Sequence, residues 1–241
     1  MTALAPSILT VSSAARTSTR SERLRPLVER ISARIAASCD EIAIFPSAEA
    51  ALDAAARAFV RGRRTAIVRP AGDAFAARCT VEAASLVDVS AEPGDLSTIA
   101  AAARDAQTVA LSSPIRGGNG RLLPATLAPR ELLQLRSRAP RPLIVLDLLD
   151  EEFARTPLTQ PALLLPGTVL IRGFGDAWLR AGAAAIAPLA FIAGPRELIA
   201  PLANAPLAAD AADESTLIRA ACADLDLPGI DRAVRRVAEG G

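Results

Sequence analysis

Ser47 follows a short apolar run, residues 41–45, and precedes a stretch with helical periodicity. In that place its hydroxyl is set to cap the helix. Glu49 comes two residues after the serine rather than three, so the pair is not a capping box. Asp147 closes the apolar run Leu143–Asp147, where an unpartnered carboxylate costs several kcal/mol, so it must find a donor. Gly117, Gly118 and Gly120 surround Asn119 in a pliable loop, which is either a plain turn or a set of amides open to an anion. Asp147, Asp150, Asp176 and Arg180 would line one cleft, in which the three carboxylates could serve as a general base or bind a hard cation such as Mg²⁺. Nothing in their spacing specifies a reaction.

The missing residue types say more. The chain of 241 residues has no His, no Tyr and no Lys, so all 27 basic residues are Arg. Histidine base catalysis, histidine metal ligation, tyrosine acid catalysis and a lysine imine are therefore excluded within it. Cys39, Cys79 and Cys222 are far apart and form no CxxC, which leaves no metal site to expect. Hydrophobic residues make up 51% and charged residues 22%, which rules out a disordered chain. A formal net charge of +1 gives no overall attraction for nucleic acid. No basic segment leads into an apolar stretch at the start, and the longest apolar run, residues 181–193, contains Pro188 and falls short of a bilayer span. The expectation is a cytoplasmic protein with no membrane and no nucleic-acid partner.

The elements that must position these residues are set by periodicity. Leu24, Leu27, Ile31 and Ile35 recur at helical spacing and predict a helix over about 21–38. Further helices are predicted over about 48–60, 73–84, 95–104 and 127–138. Between them run strand-like segments at 65–68, 85–89, Thr108–Ser112, Leu143–Asp147, 168–172 and 183–187. Strands alternating with helices predict a three-layer α/β/α fold with a mainly parallel sheet over about residues 40–200. Residues 1–20 show no amphipathic period and read as a loose arm. In such folds ligands sit beyond the carboxyl ends of the strands.

The loops after the strands resemble, one by one, those of the large domain of the fold-type I pyridoxal-phosphate enzymes. The similarity is to class I/II aminotransferases of the histidinol-phosphate aminotransferase and threonine-phosphate decarboxylase kind. Pro46-Ser47-Ala48-Glu49-Ala50 is similar to the family's phosphate loop, which implies Ser47 and Ala48 as phosphate contacts. Pro70 through Phe75 is similar to the segment that stacks an aromatic on the pyridine ring, but the stacking position is Gly72. Ser113-Pro114 through Gly120 resembles the loop whose Asn meets the pyridine hydroxyl, with Asn119 as a displaced counterpart. Val145 through Phe153 resembles the strand end whose Asp pairs with the pyridine nitrogen, which implies that role for Asp147; the family's Tyr is Asp150. The segment from Leu170 puts Asp176 at the position of the imine-forming Lys, or Arg172 in a rival register, and Arg180 matches the phosphate-binding Arg.

The resemblance thus implies an aminotransferase-like large domain over residues 21–200 and a C-terminal helical segment over 201–241, with the small domain missing. It also implies a pseudoenzyme without a covalent cofactor, retaining at most weak pyridoxal-phosphate or other anion binding. Such a chain is expected to serve as a binding or partner subunit, in a homodimer or in a heterodimer with an active aminotransferase. Apolar surface left by the missing domain predicts association through residues 183–209. The alternatives are an enzyme with non-pyridoxal chemistry built on the carboxylates of the old cleft, or a homologue of amino-acid or cobalamin-pathway aminotransferases in name only.

Overall fold

The computed structural model describes residues 20–69, 74–90, 95–113, 115–116, 122–123, 128–149, 151, 157–173, 189–202 and 218. Helix α1 (Arg20–Ile35) comes first and buries Leu24, Leu27, Ile31 and Ile35, the positions its spacing marks. It stops earlier than the periodicity suggests because Ala36 turns to a left-handed φ of 55°. A 3₁₀ turn at Cys39–Glu41 comes next, in which the Glu41 carboxylate accepts the Ser38 N–H at 2.8 Å.

Strand β1 (Ile42–Phe45), helix α2 (Ala48–Phe59), strand β2 (Arg64–Arg69), helix α3 (Ala74–Glu82), strand β3 (Ser85–Ser90), helix α4 (Leu96–Arg104) and strand β4 (Thr108–Ser112) succeed one another. A short antiparallel pair, β5 (Ile115–Arg116) and β6 (Leu122–Leu123), stands apart from the main sheet. Helix α5 (Pro129–Arg138), strand β7 (Leu143–Asp147), helix α6 (Thr159–Leu163), strands β8 (Thr168–Gly173) and β9 (Ala190–Ala193), and the short helix α7 (Arg196–Ile199) complete the described elements. No helix among the described residues is long and apolar enough to cross a membrane.

Seven of these strands form one sheet in the order β1-β9-β8-β7-β4-β2-β3. Every pairing among β2, β3, β4, β7 and β8 is parallel. Strand β9 is antiparallel to both β8 and β1, so β1 runs the same way as the parallel group. Parallel neighbours cannot be joined by tight turns, so helices carry the chain across the faces. The sheet is buried on both faces, and strand residues alternate between two apolar layers. Ile44, Val68, Leu111, Leu146 and Leu170 share one layer with α1, α4, α5 and α6. Phe45, Ile67, Ala110, Val145 and Ile171 share the other with α2 and α3.

Strand β9 is the departure from the sequence reading. The strand expected at 183–187 lies outside the described residues, and the observed strand is Ala190–Ala193, followed directly by Gly194-Pro195. A Cβ at Gly194 would meet the Thr168 carbonyl oxygen and the Val169 side chain at 3.0 Å, tighter than ordinary contact, so glycine fits best where β9 leaves the sheet. Leu189–Ala193 is buried inside the sheet between β1 and β8, and this part of 183–209 is core rather than an association surface. Residues 1–19, and 203–241 apart from Ile218, lie outside the described residues; Ile218 itself is buried in the α1 layer.

One buried cation fixes the strand-start side. Arg136 is buried near the end of α5, and its Nη1 donates to the carbonyls of Pro140 at 3.1 Å and Pro142 at 2.8 Å. Its Nη2 donates to the Gly167 carbonyl at 2.8 Å, tying α5 to the turns that lead into β7 and β8. Burial pushes the guanidinium below its ordinary pKa. Replacing Arg136 with Leu strands the Pro142 and Gly167 carbonyls, and is expected to cost about 3 kcal/mol in urea unfolding. Arg136→Lys should recover only part of that loss; a Leu variant as stable as the parent would refute this role.

Candidate functional site

Because β1, β2, β3, β4, β7 and β8 all run one way, their carboxyl ends lie along a single edge of the sheet. Helix α2 starts there. Ser47 is extended, with φ −157°, and its Oγ accepts the Ala50 N–H at 3.1 Å while its carbonyl accepts the Ala51 N–H at 3.1 Å. The serine is an N-cap. The amides of Ala48 and Glu49 belong to the first turn and face out of the positive end of the helix. Glu49 brings a negative charge to that turn, which suits the helix dipole and competes with an incoming anion.

Asp147 ends β7 in a half-buried position. Its Oδ1 accepts the Leu149 N–H at 3.0 Å, and Ser112 Oγ on the adjoining strand lies 3.5 Å from its Oδ2. The carboxylate thus stabilises the turn that leaves β7. Alternation along the strand puts Asp147 in the layer of Val145, with α2 and α3, and its register partner Ile171 belongs to the same layer. Ser47, Ala48 and Asp147 therefore share one edge and one face of the sheet.

Arg172 does not join them. It comes after Ile171 on β8, so its side chain leaves the sheet on the opposite face, the one covered by α5 and α6. There its Nη1 lies 3.2 Å from Glu151 Oε2 and 3.3 Å from Thr159 Oγ1. The Glu151 carboxylate is buried and accepts the N–H of Thr159 at 2.6 Å, the N–H of Leu158 and the hydroxyl of Thr159. A buried carboxylate with three neutral donors and a guanidinium has its hydrogen-bonding capacity filled. It also sits at the positive end of α6, binding the turn after β7 to the start of the next helix.

Sequence reasoning alone misses Glu151 and Thr159. The Asp-Glu-Glu run at 150–152 carries acidic residues straight after an apolar strand, which hints that one of them turns inward. Nothing in the spacing pairs Glu151 with Arg172. Asn119, Asp150, Asp176, Arg180 and Gly72 lie outside the described residues. Among the described residues no group of three or more His, Cys, Asp or Glu is placed to hold a metal ion.

The pair invites a double-mutant cycle. Arg172→Leu and Glu151→Leu, taken singly, each leave a buried charge or its donors unpartnered, and each is expected to cost about 3–5 kcal/mol in chemical denaturation. The double variant should lose much less than the sum. Additive losses would mean that the two groups do not depend on one another.

No protein-family model and no curated protein matches the sequence. Solved structures do match in fold. A histidinol-phosphate aminotransferase from Sinorhizobium meliloti, in complex with pyridoxal-5'-phosphate, superposes with a TM-score of 0.68 at 18% identity. That match covers 91% of this chain and 59% of the other. The histidinol-phosphate aminotransferase from Clostridium acetobutylicum gives 0.69 at 16% identity, over 88% of this chain and 62% of that one. The L-threonine-O-3-phosphate decarboxylase from Porphyromonas gingivalis gives 0.60 at 20% identity, over 84% and 63%. The chain spans about three fifths of the length of each. With its mostly parallel seven-stranded sheet and flanking helices, the chain has the α/β fold of the fold-type I pyridoxal-phosphate-dependent transferases.

Proposed function

We propose that this chain is a pseudoenzyme on an aminotransferase fold, acting as a non-catalytic binding or partner subunit. The observation that carries the reading is chemical: its 241 residues contain no Lys, hence no side-chain amine to form an imine with pyridoxal phosphate. Transamination needs that imine and a base to move the substrate proton, and Lys does both in the family the loops resemble.

The residues of the carboxyl edge support the same reading. Ser47 Oγ is engaged as a helix cap, Asp147 Oδ1 is engaged by the Leu149 amide, and Arg172 is held by Glu151 on the opposite face. These residues do not fit a covalently held pyridoxal phosphate, and no catalytic step runs through one. What they fit is weak anion binding at the first turn of α2, through the Ala48 amide and the capped Ser47; Asn119 and Arg180, which the loop resemblance would add, lie outside the described residues. A chain reduced to that role works in the cytoplasm as a homodimer or beside an active aminotransferase.

Mixing the purified protein with pyridoxal phosphate is expected to give no protein-bound imine absorbance and no transamination with any amino donor. Borohydride reduction followed by intact mass measurement should find no pyridoxyl adduct on an internal residue; a stoichiometric adduct there would overturn the reading. Asp176→Lys alone should not restore activity, because the stacking position is Gly72 and the Tyr position is Asp150. Sedimentation across a concentration series, with the chain alone and then in its native extract, should show self-association or a bound partner. A monomer throughout, with no companion recovered, counts against the subunit role.

A further inference from the structure

We infer that the amino-end edge of the sheet, opposite the edge that carries Ser47 and Asp147, is a docking surface for an acidic segment of a partner protein. The inference stands on surface charge and does not depend on the pseudoenzyme reading. Five arginines meet on this edge: Arg63 and Arg64 at the start of β2, Arg104 at the end of α4, Arg138 at the end of α5, and Arg141 just before β7. All but the half-buried Arg63 are exposed. None of the five forms an ion pair with a described residue, whereas Arg25, Arg61, Arg78, Arg172 and Arg196 each pair with a carboxylate.

The main chain makes these positions one continuous strip. Arg63 accepts the Ala84 N–H at 3.1 Å, and Arg64 exchanges bonds with Gln107, donating to its side chain at 3.0 Å and accepting its N–H at 2.8 Å. Gln107 in turn accepts the Leu143 N–H at 2.9 Å, two residues past Arg141. Among the described residues Asp105 is the one acidic group within the strip, since Glu82 at its border is held by Arg61 at 2.6 Å.

Helix ends explain part of this charge. Arg104 and Arg138 lie in the last turns of their helices, where cations suit the exposed carbonyls. Arg64 opens β2, Arg63 and Arg141 lie in the turns just before β2 and β7, and none of the three gains from a helix end. Among the described residues no carboxylate takes their guanidinium groups, which suit planar acceptors held bidentately. Among the described residues the strip offers no aromatic platform for unstacked bases, because Phe59 beside it is buried and the chain has no Tyr. A long duplex would also extend past the strip onto a protein whose net charge is only +1, while a short acidic segment meets the strip alone.

A fluorescein-labelled oligo-glutamate peptide is the probe, followed by anisotropy at roughly 50 mM salt and again at roughly 200 mM. Saturable binding that weakens steeply with salt is expected, and a duplex DNA of similar charge should bind less tightly. The triple variant Arg63→Gln, Arg64→Gln, Arg141→Gln should weaken peptide binding about tenfold or more. A control with the same charge change, Arg25→Gln, Arg130→Gln, Arg196→Gln, should shift it less than about twofold. Hydrogen exchange on the unaltered protein should show peptide protection at residues 61–64, 105–107 and 139–143, and none at 46–49. Absence of saturable binding, equal loss in both triple variants, protection elsewhere, or tighter binding of the duplex would each overturn the proposal.

Discussion

The central ladder of β4, β7 and β8 is the constraint on which the other features depend. Thr108–Ser112 pairs with Leu143–Asp147 in parallel register, and Leu143–Asp147 pairs in turn with β8 from Thr168 onward. Parallel register sends every connection across a face of the sheet, so the helices lie on both sides and the strand ends collect at two opposite edges. One edge receives the turns that leave the strands and the first turns of helices. The other receives strand starts and helix ends. Asp147 and Arg141 end up at opposite edges although six residues separate them in sequence.

Alternation along these strands then assigns each polar residue to a layer. Ile171 packs with Val145 in the α2 layer, so the next residue, Arg172, must enter the α5 and α6 layer. An arginine there needs a carboxylate, and Glu151 supplies it from the turn after β7. The pair ends up nearly dry, with side-chain exposures of 17% and 3%, so neither charge is screened by solvent and neither can lose its partner cheaply. Arg136 solves the same problem at the other edge with carbonyls instead of a carboxylate. Both devices tie β8 to its neighbours, one at each end of the strand.

The parallel strands were legible because each is a short apolar run between helical periods, and β2, β3, β4, β7 and β8 fall where those runs lie. Strand β9 was not legible. Its four residues, Ala-Phe-Ile-Ala, sit at the end of a longer Ala-rich apolar run, in which Pro188 is the one break and both sides of it are equally apolar. Only the pairing with β1 and β8 distinguishes them from that run. Ser47 was legible as a cap, since a serine before a helical period has few other uses. Glu151 was hidden because its partners, Thr159 and Arg172, are 8 and 21 residues away in sequence and are brought near by tertiary packing. The arginine strip was hidden for the same reason: a net charge near zero averages over surfaces that the fold keeps apart.

The residues that hold this fold are not the ones that would do chemistry at its edge. The two apolar layers rest on residues such as Leu27, Ile99, Leu135, Ile144 and Val169, all within the body of the sheet and its helices. A lysine, a stacking aromatic or a tyrosine beyond the strand ends adds little to either layer. Their replacement leaves the apolar burial that stabilises the chain intact. Ser47 and Asp147 are held in place by structural duties of their own, one on the Ala50 amide and one on the Leu149 amide. Losing a cap costs about 1 kcal/mol whether or not a ligand is present, so Ser47 stabilises the start of α2 independently of any chemistry at this edge.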